Sequence, residues 1–569
     1  MLLQSLQKEE RVPTQRTGGQ LLVDCLLAHA VDTIFCVPGE SFLTVLDALR
    51  DVQDKIRIIV GRHEASVANM AEAYGKLTGK PGICFVTRGP GASQGAVGIH
   101  TAFHDSTPLI MFVGQVTREQ LGREAFQEMD YHHLFGKTAK WVTEIVDPGR
   151  VPELVSRAFH VAVNGRPGPV VISIPEDMQN EVCNSVTPAH YKHASCAPSA
   201  AALVQLQAML ESAQRPLLIL GGGGWSSEAL ADMRHFAEAF GLPAVAGFRR
   251  QDLFDNTHPN YVGVLGLGTN PALVEMVKQA DLLLVVGERL GDMTTDSYAL
   301  IEFPRPVQQL IHVHAGAEEL GILYEGDLLI NASARDFAQA VAALNPTIPV
   351  ERPAWISGGR RNYEKYSVPP SVGQPKIDVA RIVREISERL PSNAIISNGA
   401  GLYTAFVHRY YQFRDFGSQL APTSGAMGYG FPAALAAKVV YPDRPAVCFA
   451  GDGCFMMASQ ELATAVMYRL PVIVVVIDNS CYGSIRFHQE KYFPGRVVAT
   501  DLASPDFVAL AQSYGAYAER VETTADFGAA FERALASGLP ALLTFKQDVM
   551  EAIGSLSKQP VAVAMADAS

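Results

Sequence analysis

Asp452 and Asn479 stand near the two ends of "GDGCFMMASQELATAVMYRLPVIVVVIDNS" (451–480), the first between two glycines and the second directly after an Asp. A carboxylate and a side-chain amide both present hard oxygen donors. Mg²⁺ asks for six oxygens and often takes only a few from protein, leaving the rest to phosphates and water. Gly453 permits a close backbone approach to such a phosphate, and a helix starting there favours the anion. The chemistry that suits this pattern is a divalent cation holding a diphosphate. Taken separately, G-D-G is a common tight turn and Asp-Asn a common loop start.

The elements that must position the pair lie between and around them. Residues 446–450 read as a strand and 451–453 as a turn. Residues 454–470 read as a helix in which Phe455, Leu462, Ala463, Val466, Met467 and Leu470 recur at helical spacing. Pro471 ends that helix, and 472–477 is an unbroken apolar run suited to a buried parallel strand. The right-handed crossover of such a βαβ unit puts both strands in one sheet, running parallel. Asp452 and Asn479 then leave the same carboxyl edge, where open α/β sheets take ligands. Joined in this way, the two residues favour the ligand over the turn.

Similar alternation of β-branched runs with helical patterns fills the chain from about residue 17. It predicts an α/β protein of three doubly wound parallel-sheet domains, at 17–185, 200–345 and 375–550. "HYKHASCAPSA" (190–200) and "NPTIPVERPAWISGG" (345–359) read as linkers, and the tail "SKQPVAVAMADAS" as unstructured. A length of 569 residues agrees with several cores rather than one. The net charge of −12 argues against nucleic acid and anionic membranes as partners, because phosphate backbones are held by clustered Lys and Arg. Eight scattered cysteines without a C-x-x-C pair, several inside apolar runs, fit reduced thiols and a cytoplasmic location. The first sixteen residues are too polar for a signal-peptide core, and no apolar run approaches a membrane span.

The G-D-G…Asn pattern resembles the thiamine-diphosphate motif of the acetolactate synthase-like enzymes. "GRHEASVANMAEAYGKLTGKPG", "TRGPGASQ", "AFQE" and "SGAMGYGFPAA" resemble that family in its order, so the likeness covers nearly the whole chain. It implies pyrimidine-binding, central and diphosphate-binding domains, in that sequence. It implies Mg²⁺ bound by Asp452, Asn479 and the backbone carbonyl of Cys481. Glu64 is implied to hydrogen-bond N1′ of the cofactor's aminopyrimidine and so promote loss of the proton at thiazolium C2. Met427 is implied to bend the cofactor, with Gly425 and Met427 offering backbone groups to its pyrimidine. Further cofactor contacts are implied at Pro38, Gly39, Gly401, Gly451, Gly453, Cys454, Tyr482 and Gly483. Phe126 and Gln127 fall on the implied substrate side, with Gln127 a candidate catalytic residue. The implied substrates are small 2-oxo acids or aldehydes. The implied assembly is a homodimer, or a dimer-of-dimers tetramer, with active sites at the subunit interface.

Each of these residues also has a structural use. A Glu at a helix start is favoured by the dipole, Met fills cores, and glycines make turns. Their occurrence together in motif context favours catalysis. Two departures from the family pattern bear on substrate. The Arg that binds the acceptor carboxylate is replaced by Met293 in "VVGERLGDMTTD", and a Trp after the metal-binding Asn by His488 in "SIRFHQEKY". Acceptor recognition is therefore altered. The family's FAD-ribose pattern V-D-x-D becomes "IHVHAGAEELG", with His314 and Gly316, so FAD or ADP loses its usual partner and FAD is the less expected cofactor. Carboligation is the first reading of function, and simple 2-oxo acid decarboxylation or 2-hydroxyacyl-CoA cleavage the second. From other classes come a nucleotide-dependent oxidoreductase using "LGGGGWSS" (220–227) and a non-catalytic binding paralogue. Retention of Glu64, Asp452 and Asn479 together argues against the paralogue.

Overall fold

The computed structural model describes residues 14–370 and 376–557. The first thirteen residues and the tail from 558 on lie outside the described residues, and with them the readings made there. Three six-stranded sheets are present, and every pairing within them is parallel. The chain divides into two compact units, one holding the first sheet and the other, from Ser195 on, holding the remaining two.

The first sheet runs Arg57–Val60, Thr33–Cys36, Gly82–Val86, Leu109–Gln115, Pro169–Pro175, Trp141–Glu144. The last runs Gln419–Leu420, Ile395–Asn398, Ala446–Gly451, Val472–Asp478, Ala541–Lys546, Tyr517–Arg520. Numbered by chain position within each sheet, both follow the order 2-1-3-4-6-5. They are topological twins, with strand order reversing between their first and third strands. The middle sheet follows 3-2-1-4-5-6, the dinucleotide-binding order, and reverses between Pro216–Leu220 and Leu282–Val286. The central strands read as continuous apolar runs because helices cover both faces. Leu282–Val286, Val472–Asp478 and Pro169–Pro175 are buried at every position.

Two local expectations are corrected. The helix expected over 454–470 is broken into Asp452–Met456, a 3₁₀ turn at Ser459–Glu461, and Leu462–Met467. Ala458, at φ −137° and ψ 14°, leaves the helical region between them. Gly428 packs there, a Cβ on it lying 3.0 Å from Cβ of Met457, and Met467 is exposed rather than core. The linker expected over 345–359 contains the start of a helix, Pro353–Tyr366. Proline at the first helical position starts a helix instead of breaking it. The buried Arg352 just before it donates to the carbonyls of Phe240, Leu210 and Ala213, and Trp355 Nε1 donates to Pro216 O at 2.9 Å.

Candidate active site

In the first sheet the candidates gather at the carboxyl edge. Gly39 follows the strand Thr33–Cys36 and lies against Thr87, where a Cβ would come within 2.5 Å of Thr87 Cβ. Ser41 and Thr87 share a hydroxyl hydrogen bond of 3.0 Å across that junction. Glu64 opens the helix Glu64–Thr78 after the neighbouring strand and is half-buried. Its Oε1 lies 3.4 Å from the Cβ position of Gly91, so the carboxylate reaches the first turn of the helix Gly89–Asp105. Gln127, at φ +66°, accepts the Gly89 amide on its carbonyl at 3.0 Å. Phe126 beside it is 78% exposed. Pro38–Gly39, Glu64, Gly89–Gly91 and Gln127 therefore share one edge of one sheet, around its reversal of strand order.

In the last sheet three segments converge at the corresponding place. Cys454 Sγ accepts the Gly428 amide at 3.3 Å and the Tyr403 hydroxyl at 3.4 Å, and that hydroxyl accepts the Gly399 amide at 3.1 Å. The Gly399–Gly401 and Gly425–Gly428 loops and the strand-to-helix junction Gly451–Cys454 are thus tied together by one sulfur and one phenol. Gly425, at φ +69°, faces open space, and Met427 is partly buried against the core beside these loops.

Asp452 follows the strand Ala446–Gly451, is 2% exposed, and accepts from the Ser504 hydroxyl at 2.9 Å. Asn479 follows the adjacent strand and receives the Cys481 amide on Oδ1 at 3.2 Å. Cys481 forms an isolated bridge with Asp501, held by Tyr482 N to Thr500 O and Leu502 N to Ser480 O. Those bonds use neighbouring groups and leave the Cys481 carbonyl as an acceptor. Gly453 packs against Tyr482, with a Cβ 3.1 Å from its ring, and Gly483 against Asn479, with a Cβ 2.7 Å from Nδ2.

The electrostatics fit a cation. Burial pushes the Asp452 carboxyl above the usual range, only partly offset by hydrogen bonds from Ser504 and Gly453, and Asp478 nearby pushes the same way. No Lys, Arg or His pairs with Asp452 among the described residues. Two further buried atoms at this edge, Asn398 Oδ1 and Thr500 Oγ1, lack partners. A buried carboxylate without a countercharge suits a bound divalent ion.

The middle sheet places its glycine run directly after the strand Pro216–Leu220. At its reversal point the loops touch backbone to backbone, and Glu288 lies over them. A Cβ on Gly221 or Gly247 would sit 2.0 or 2.1 Å from Glu288 Oε2. Trp225 Nε1 donates to the Gly221 carbonyl at 2.8 Å and Arg250 Nη1 to that of Gly222 at 2.5 Å. The glycine run serves close internal packing. Sequence reasoning missed Glu288 in this place, along with Tyr403, Asp478, Ser504 and Lys546. The Asp preceding Asn479 is the one signal that pointed toward them.

Family models match in three successive stretches: the thiamine pyrophosphate enzyme N-terminal TPP binding domain over residues 16–134, its central domain over 203–341, and its C-terminal TPP binding domain over 399–545. The chain is 34% identical to an acetolactate synthase large subunit of Parasynechococcus marenigrum over 532 residues, covering 89% of this chain and 84% of that one. It is 31% identical to a probable acetolactate synthase large subunit of Methanocaldococcus jannaschii, over 94% and 93% of the two chains. With the acetolactate synthase isozyme 2 large subunit of Escherichia coli it shares 30% over 95% and 97%. The twin outer sheets, the edge that carries Asp452 and Asn479, and these matches lead to one conclusion: the chain belongs to the thiamine pyrophosphate enzymes, in their acetolactate synthase-like branch.

Proposed function

We propose that the protein is a thiamine-diphosphate- and Mg²⁺-dependent carboligase that joins a small 2-oxo acid or aldehyde donor to an uncharged acceptor. The observation that carries this reading is the buried, uncompensated Asp452 beside Asn479 at the edge of a diphosphate-type sheet. Asp452, Asn479 and the Cys481 carbonyl would hold the cation, with Gly453 admitting the diphosphate. Glu64 would share a proton with N1′ of the pyrimidine, and Met427, with Gly425, would support that ring. Bound there, the cofactor supplies a nucleophilic carbon and an electron sink for breaking and making bonds next to a carbonyl. We take the working assembly to be a homodimer, or a pair of dimers, in which Glu64 of one subunit serves the diphosphate domain of another. A cytoplasmic location accords with the free cysteines; no helix among the described residues is long and apolar enough to cross a membrane. FAD is the less expected cofactor in this reading, because His314 and Gly316 replace the family's V-D-x-D pattern.

The acceptor is the departure from the relatives. Met293 lies half-buried in the loop after the strand Leu282–Val286, and His488 is exposed, stacked on Tyr492 at 6.0 Å. Neither brings the fixed cation that a carboxylate-bearing acceptor would use, and a hydrogen bond to a charged group contributes about 1.5–3 kcal/mol. The test is to incubate protein, thiamine diphosphate and Mg²⁺ with a panel of 2-oxo acids and aldehydes and identify products by mass spectrometry. A hydroxyketone formed from an uncharged acceptor is expected. Acetolactate as the fastest product would overturn the acceptor assignment, and decarboxylation without any new C–C bond would overturn carboligation.

A further inference from the structure

Asp452, Asp478 and Lys546 form a row across three strand ends. Gly451 is opposite Ile477 in the pairing of Ala446–Gly451 with Val472–Asp478, which brings Asp452 beside Asp478 as the first strand gives way to its turn. In the next pairing Asp478 is opposite Lys546. The row reads minus, minus, plus. Asp478 is buried, and its Oδ2 takes the Lys546 ammonium at 2.6 Å. Its Oδ1 takes the amide and hydroxyl of Ser480 at 3.0 and 3.1 Å. The Ser504 hydroxyl stands between the two carboxylates, 2.9 Å from Asp452 Oδ2 and 3.1 Å from Asp478 Oδ1.

Ser504 has one proton for two acceptors. Asp478 is already neutralised by Lys546 and supplied with donors by Ser480, whereas Asp452 has no countercharge. The proton is therefore directed to Asp452 Oδ2, which fixes the rotation of that carboxylate and leaves Oδ1 for a ligand. We propose that Ser504, Asp478 and Lys546 are positioning residues for Asp452, and that Lys546 decides which of two adjacent carboxylates serves the cation. Without Lys546, Asp478 would become an uncompensated buried charge, competing for both the Ser504 proton and the metal. This inference rests on Asp452 as a Mg²⁺ ligand.

The test is calorimetric titration of Mg²⁺ in the presence of thiamine diphosphate, a binding readout independent of turnover. Loss of partners that orient metal ligands weakens metal affinity by about 10–100-fold. Lys546→Met and Ser504→Ala should each lose affinity in that range, while Ser504→Thr keeps most of it. The double variant Asp478→Asn/Lys546→Met should recover most of the loss, because an uncharged side chain at 478 no longer competes. An ion pair that only braced the fold would not be rescued by removing its second member. Wild-type affinity in Lys546→Met, or no recovery in the double variant, overturns the inference while leaving the Asp452 site standing. If the wild type itself shows no Mg²⁺ dependence, the metal reading and this inference fall together.

Discussion

Gly222 and Gly287 meet backbone to backbone in the middle sheet: a Cβ on Gly222 would lie 2.0 Å from the Gly287 carbonyl oxygen. Gly222 also sits at φ +64°, where a side chain is strained. The obstructing atom belongs to the backbone and cannot rotate away. Gly222→Ala should therefore destabilise the protein by at least about 1–3 kcal/mol, read as a lower denaturant midpoint. Thiamine diphosphate affinity should change little at midpoints below the transition. A variant as stable as wild type would mean that the loop has slack, and with it room for a ligand.

That glycine run marks a limit of the sequence. Glycines permit close approach equally to a phosphate or to another backbone, and the backbone contact of Gly222 with Gly287 forms only through the fold. The placement of Asp452 and Asn479 at one sheet edge was legible because the handedness of a βαβ unit is fixed. The break at Ala458 was not, since apolar spacing continues across it while Gly428 presses on Met457 from a distant segment. The Asp478–Lys546 pair was hidden for a similar reason: it exists only through the register of two strands far apart in the chain. The three parallel sheets, by contrast, follow from where apolar runs alternate with helical ones, although their strand orders do not.

The Asp452 carboxylate, raised by burial and without a countercharge, is a burden to the metal-free fold at neutral pH. Asp452→Asn keeps the shape and the Ser504 contact but removes that charge. In chelator the variant should melt at or above the wild-type temperature, while Mg²⁺ should no longer raise either its melting temperature or its thiamine diphosphate affinity. Site residues often carry this trade between stability and function. A variant that melts lower in chelator yet still responds to Mg²⁺ would remove Asp452 from the metal site.

His29 gives the first unit an acid sensitivity. Its ring is buried, stacks on Phe159 at 4.2 Å, and accepts the Tyr191 amide on Nδ1 at 3.2 Å, while Nε2 has no partner. Burial, then His190 and His160, pull its pKa down to about 4 from 6.5. Above 6.5 the ring is neutral folded or unfolded, and its full contribution is present. Below that the unfolded chain takes up a proton that the fold refuses, so stability falls until the folded ring titrates near 4. The depression corresponds to an upper bound of about 3 kcal/mol. In urea titrations at pH 7.5 and pH 5, His29→Gln should lose less stability on acidification than wild type. Parallel losses would place the sensitivity in other groups.

Glu64 carries the last prediction. It opens a helix at the edge of the first sheet, half-buried, with Oε1 near the first turn of the helix Gly89–Asp105. Gln is nearly isosteric, so Glu64→Gln should leave the fold intact. The proposed Mg²⁺ ligands, Asp452, Asn479 and the Cys481 carbonyl, belong to a different sheet, so the cofactor's diphosphate anchor should persist and most affinity with it. What Gln cannot do is share a proton with a pyrimidine nitrogen. Removing a positioned acid–base group lowers its step by about 10²–10⁴-fold. Exchange of the thiazolium C2 proton for deuterium, followed by quenched NMR at saturating cofactor, isolates that step from substrate binding and product release. The variant should exchange slower by that factor while calorimetry shows affinity within a few-fold of wild type. Equal exchange rates would remove Glu64 from cofactor activation. A loss of affinity as large as the loss of exchange would instead make it a binding residue.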